Sequence, residues 1–115
     1  MSGKRSRTKG HQFERDIAII FRDIGFKDAR RQLEYHLADC NGEDIANVGP
    51  FRIQCKRNKT YAPLSKIKEI QNKSGIHLLI TKADKEPAMV CLKLEDFVKG
   101  LMDFGYWRDD EQKEN

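Results

Sequence analysis

Between Ile76 and Thr81 the chain reads Ile-His-Leu-Leu-Ile-Thr, with Leu78-Leu79-Ile80 an unbroken apolar run. A strand of that composition leaves no face for water, so it belongs at the centre of a sheet covered on both sides. Three stretches carry the periodicity of covering helices. The first runs from about Gly10 to Ile24. Phe13, Ile17, Phe21 and Ile24 form its stripe, Ala18 and Ile20 widen it, and Gly25 is placed to stop it. The second opens with Pro63 at its first position and continues to about Lys73 before Gly75, with Leu64, Ile67 and Ile70 turned inward. The third starts near Glu95-Asp96, pairs Phe97 with Leu101 and Val98 with Met102, and closes at Gly105.

The other strands are shorter. Phe51–Arg57 alternates, with Phe51, Ile53 and Cys55 on one face and Arg52, Gln54 and Lys56 on the other. Upstream, Ile45-Ala46 and Val48 precede the turn signal Gly49-Pro50, which predicts a hairpin bringing Asp44 close to Gln54 and Lys56. Residues 26–32 read as a short strand carrying Arg30 and Arg31, residues 88–92 as a returning strand, and residues 33–42 as an irregular loop with Tyr35 and His36. Helix, three strands, helix, two strands, helix describes a small α/β domain with a mixed central β-sheet flanked by α-helices. It spans residues 10–105, between a flexible basic arm at 1–9 and an acidic tail at 106–115.

A chain of 115 residues suffices for one such domain with a modest core. Hydrophobic residues at 38% and charged residues at 35% exclude a disordered or membrane class, and no apolar run approaches the roughly 18 residues of a membrane helix. The basic first ten residues lead into a polar helix, so no secretory peptide is expected. Cys40, Cys55 and Cys91 are odd in number and widely spaced, without a CxxC pair. That argues against a disulfide framework and against zinc, and for a reducing, intracellular setting. The net charge of +4 is unevenly spread: Lys4, Arg5, Arg7 and Lys9 load one end, while Asp109, Asp110, Glu111 and Glu114 load the other. A basic arm of this kind suits a polyanionic partner or serves only as a solubilising tail.

Asp44, Gln54 and Lys56 are the residues that bear chemistry. A carboxylate and an amide carbonyl offer oxygen ligands to Mg²⁺ or Mn²⁺, and a lysine beside them can stabilise charge on a phosphoryl group. Phosphodiester hydrolysis is the implied reaction. Glu14, considered alone, reads as an acid in the first turn of a helix, favourable to its dipole.

The pieces Lys9-Gly10, Phe13-Glu14-Arg15, Gly25-Phe26, Ala29-Arg30, Glu43-Asp44-Ile45 and Ile53-Gln54-Cys55-Lys56, followed by helix, strand, strand, resemble the PD-(D/E)xK nuclease superfamily over roughly residues 9 to 100. Within it they are most similar to the archaeal-type Holliday junction resolvases and their phage relatives. The resemblance implies a restriction-endonuclease-like fold and a structure-selective, Mg²⁺- or Mn²⁺-dependent endodeoxyribonuclease acting on four-way junctions. It further implies Glu14 and Asp44 as metal-binding carboxylates, the backbone carbonyl of Cys55 as a further ligand, and Lys56 as the catalytic lysine. Gln54 stands where Glu or Asp is usual, in a Q-x-K version similar to that of some restriction-type members; its amide oxygen can bind metal but brings no charge. Glu43 replaces the proline before Asp44, and residues 37–42 have no counterpart of the resolvases' serine-bearing loop. Lys4, Arg5, Arg7, Lys9, Arg30, Arg31, Arg57 and Lys59 are the expected DNA phosphate contacts. The resolvases are homodimers, which places two sites on opposing strands. A less selective phage or restriction-type nuclease and a DNA-binding relative without catalysis are the alternatives.

Overall fold

The computed structural model describes residues 2–32 and 41–105, with side chains from residue 7 onward. Tyr35, His36, Cys40, the acidic tail and the side chains of Lys4 and Arg5 lie outside the described residues. The elements follow in the order α1 (Ser2–Asp23), β1 (Arg30–Arg31), β2 (Ile45–Ala46), β3 (Phe51–Arg57), a 3-10 helix (Leu64–Glu69), β4 (Ile76–Lys82), β5 (Met89–Cys91) and α2 (Leu94–Asp103).

The apolar run is the central strand of its sheet. β4 pairs in parallel with β3, Ile53 opposite Leu78 and Cys55 opposite Ile80, and antiparallel with β5, Leu79 opposite Cys91. One face of this mixed sheet presents Ile53, Cys55, Ile76, Leu78 and Ile80, and Phe13, Ile17 and Ala18 of α1 pack on it together with Ala29, Ile45 and Val48. The other face carries Gln54, Leu79 and Thr81, all buried. There the cover is the segment around the 3-10 helix: the Ala62 N–H donates to the Thr81 hydroxyl at 2.9 Å, and Ile70 is buried. α2 closes one end of the sheet, where the Asp96 carboxylate accepts from the His77 N–H. No helix among the described residues is long and apolar enough to cross a membrane.

Several expectations need correction. α1 begins at Ser2, not Gly10: Lys4, Arg5, Arg7 and Lys9 favour a helix, and Gly10 only weakens one. The segment expected as a flexible arm is therefore helical. Ile20 and Ile24 are exposed (52% and 68%). Ile20 lies at one edge of the Phe13–Ile17–Phe21 stripe, about 60° round from Ile17, and Ile24 falls beyond the helix end. The expected helix over 63–73 is a 3-10 helix of six residues, whose tighter winding leaves Leu64 69% exposed rather than inward. Gly75 does not cap it; at φ +82° it sits where an added Cβ would meet the Pro50 carbonyl at 2.5 Å.

The expected hairpin is also rearranged. β2 pairs with β1, Arg31 opposite Ile45, instead of laddering with β3. The turn between β2 and β3 uses left-handed conformations at Asn47 and Gly49, and Gly49 lies close against the Phe26 ring. What remains of the β2–β3 association is concentrated at Asp44.

Candidate functional site

Asp44 is the residue that joins the two sheets. Its N–H donates to the Ile53 carbonyl at 2.7 Å, and its carbonyl accepts from the Gln32 N–H at 2.8 Å. Its carboxylate Oδ2 accepts from the Cys55 N–H at 2.7 Å. The backbone thus fixes the acid against the middle of β3, between the residues that carry Gln54 and Lys56. Burial pushes the Asp44 carboxyl up to about 7; the Cys55 N–H and Lys56 oppose this, while the charges of Glu14 and Glu69 add to it. Four charged groups therefore act on one another at this point. The Cys55 thiol, directly behind, is pushed well up by burial and by the Asp44 and Glu14 charges, so it stays neutral.

Glu14 lies about three turns into α1, so a favourable interaction with the helix N-terminus does not account for it. It faces the sheet side instead, with its Oε1 accepting from Arg31 Nε at 3.2 Å. Both side chains of that pair are mostly buried, at 16% and 17% exposure.

Gln54 is not on a wet face. At 5% exposure it is buried, with its Nε2 donating to Glu69 Oε1 at 2.7 Å. A carboxylate only accepts, so this contact fixes the amide orientation. The carbonyl Oε1 is left without a partner among the described residues. An orphaned buried acceptor costs about 1–3 kcal/mol unless a donor or a cation meets it. Two carboxylates and a carbonyl oxygen satisfy the modest protein-ligand demand of Mg²⁺, which keeps several waters. The donor set thus fits a hard cation, although among the described residues no three His, Cys, Asp or Glu side chains form a ready-made metal group.

Glu69 is a site residue that the sequence did not single out. At the end of the 3-10 helix, it accepts from Gln54, from Lys56 Nζ at 2.9 Å and from Lys66 Nζ at 3.2 Å. The two lysines, Lys56 foremost, hold its carboxyl below the usual range. It is the sole acid between Asp44 and Asp84 in the sequence, and that isolation is the signal that could have drawn attention to it. Its position depends on Gly42, φ +78°, where an added Cβ would run into the Glu69 carbonyl, and on the Gln71 N–H donating to the Asn41 carbonyl at 2.7 Å. Gly42→Ala is accordingly expected to destabilise the domain by at least about 1 kcal/mol and to shift Glu69 away from Lys56. Chemical denaturation together with the Lys56 side-chain NMR signals checks this.

The expected phosphate contacts separate into groups. Arg57 donates to Asp84 at 2.6 Å, and Lys9 reaches the same carboxylate at 3.4 Å, so these two gather around one acid at the far end of β3. Lys59 and Arg7 are exposed. Arg31 is engaged by Glu14, and Arg30 is exposed beside it on β1. Glu43, next to Asp44 in the chain, lies 3.9 Å from Arg52. Comparison with protein-family models, with curated proteins and with solved structures finds no significant match to this chain.

Proposed function

We propose that this domain is a metal-dependent endodeoxyribonuclease of restriction-endonuclease-like type, selective for branched DNA of the four-way junction class and acting as a homodimer. The observation that carries the reading is Asp44: a carboxylate pinned to β3 by the Cys55 N–H, under the charges of Glu14, Lys56 and Glu69. The orphaned carbonyl of Gln54, the residue before Cys55 on β3, supports the same reading.

In this reading Glu14, Asp44, the Gln54 amide oxygen and the Cys55 backbone carbonyl hold Mg²⁺ or Mn²⁺. The cation, when bound, supplies Lewis acidity toward a phosphoryl oxygen and acidity for an attacking water. Lys56 turns from Glu69 toward the phosphate, offsetting charge that develops on its oxygens. Glu69 holds the ammonium and the Gln54 amide until substrate arrives. Arg31 restrains Glu14 against α1 and β1, so that its carboxylate does not drift into solvent.

The test is a labelled four-way junction and a matched linear duplex, each incubated with protein and Mg²⁺. Paired, symmetric nicks in the junction with little cutting of the duplex are the expected result, from a protein whose mass in solution is that of a dimer. Scattered nicks in both substrates would replace the junction reading with a less selective nuclease. Salt-dependent DNA binding without scission in either metal would leave only a DNA-binding relative, the outcome that Gln54 in an acid's place favours.

A further inference from the structure

On the side of α1 facing β1 the chain forms an open hollow of about 420 Å³, lined by Arg15, Ala18, Ile19, Arg22, Arg30 and Arg31. Four of the six lining residues are arginines and none is an acid. Arg15, Arg22 and Arg30 are exposed, and among the described residues only Arg31 meets a carboxylate, that of Glu14. Arg22 is steadied by donating to the Ala29 carbonyl at 3.1 Å. Ala18 and Ile19 give the hollow an apolar floor between the guanidinium groups.

Arg15, Arg22 and Arg30 leave the concavity with three guanidinium groups that no described carboxylate meets, and arginine is the side chain that meets phosphate with a planar, two-pronged fork. Arg15 and Arg22 are seven residues apart on one face of α1, a rise of about 10.5 Å. Guanidinium groups that far apart would meet different phosphates of a strand. Arg31 belongs both to the hollow and, through Glu14, to the candidate catalytic cluster. A strand whose phosphates occupy the hollow would therefore be led toward Asp44 and Lys56.

We infer that this arginine-lined hollow between α1 and β1 is a docking track for the sugar-phosphate backbone of one DNA strand, with Arg15, Arg22 and Arg30 each meeting a phosphate. The inference rests on the nuclease reading and supplies its substrate path. Arg15 and Arg22 enter here as phosphate contacts that the sequence did not single out.

The test is fluorescence anisotropy of a labelled four-way junction with the wild-type chain in EDTA, where no metal-dependent cutting occurs, over a series of KCl concentrations. Arg15→Gln/Arg30→Gln is expected to lower the slope of log K against log[KCl] by about 1.8, at about 0.9 for each phosphate no longer neutralised. Both side chains are exposed, so the melting temperature should hold. Arg15→Lys/Arg30→Lys is expected to keep most of the slope and still bind more weakly, since charge remains while the planar fork is gone. Lys93→Gln/Lys99→Gln, at the start of α2 and within it, removes the same charge elsewhere and should leave the slope unchanged. An unchanged slope in the arginine-to-glutamine pair, or an equal drop in both glutamine pairs, would overturn the track. Absence of DNA binding by the wild-type chain at every salt concentration would instead bring down the nuclease reading itself, and leave an acidic protein partner as the occupant to seek.

Discussion

Replacing Asp44 by Asn is expected to abolish Mg²⁺-dependent scission while making the metal-free domain more stable at pH 8. The two effects follow from the same fact. The Asn side-chain oxygen can still accept from the Cys55 N–H, so the turn into β3 should keep its geometry. What disappears is a carboxylate that burial makes expensive to ionise. Its folded-state pKa lies above the unfolded value, at about 7 against 3.8, so the folded chain binds more protons between those limits. Stability from this group is then fully present below about pH 4 and is lost as pH rises through about 7. At roughly 1.4 kcal/mol per pH unit the ceiling on that loss is about 4 kcal/mol. Denaturant melts in EDTA at pH 5 and pH 8 should therefore converge for Asp44→Asn and diverge for the wild type. Adding Mg²⁺ at pH 8 should raise the wild-type midpoint, since a ligand bound only by the folded state adds about 2.7 kcal/mol at a hundred times its Kd. The variant should gain nothing. A drop in cutting of at least about a thousandfold together with a gain in metal-free stability marks a functional acid, because a structural acid would lose both. Retained cutting by Asp44→Asn would remove this residue from the site.

The apolar run at the centre of the sheet was legible because nothing but double burial accommodates Leu78, Leu79 and Ile80 in succession. Phe13, Ile17 and Phe21 were legible for the same kind of reason: a period, once present, fixes a face. The start of α1 was not, since residues 2–9 contain good helix formers but no apolar repeat to mark them. Gln54 shows where alternation misleads. Alternation put it on the polar side of β3 with Arg52 and Lys56, but the 3-10 helix folds over that side and buries it. Asp44 was placed beside β3 for a partly mistaken reason, a hairpin ladder that gives way to the β1–β2 pair. The side chain still arrives, because its own backbone and carboxylate make the bonds to Ile53 and Cys55. Glu69 depends on a contact between Gly42 and a carbonyl 27 positions later, and no local pattern reports such a contact.

That contact is what makes the exchange of Gln54 and Glu69 informative. In the wild type the amide donates to the carboxylate at 2.7 Å, and the same carboxylate holds Lys56 at 2.9 Å. Gln54→Glu alone would set two carboxylates against each other in a buried position, and a destabilisation of about 1–3 kcal/mol is expected. Glu69→Gln alone would release Lys56 from its ion pair and slow scission by an expected factor of about ten. The double exchange restores one amide facing one carboxylate with the donor now on the 3-10 helix, and puts the charge on β3, where it can face Asp44 and Glu14. Folding stability should then recover, with a coupling energy of about 1–3 kcal/mol between the two positions. Binding of Mn²⁺, followed by electron paramagnetic resonance, should be at least as tight as in the wild type, and scission should return with it. Additive losses in the double variant would mean that the two residues act separately and that Glu69 serves only to hold the 3-10 helix. Recovery would mean that Gln54 and Glu69 act as one unit, in which a single carboxylate serves the site from either segment.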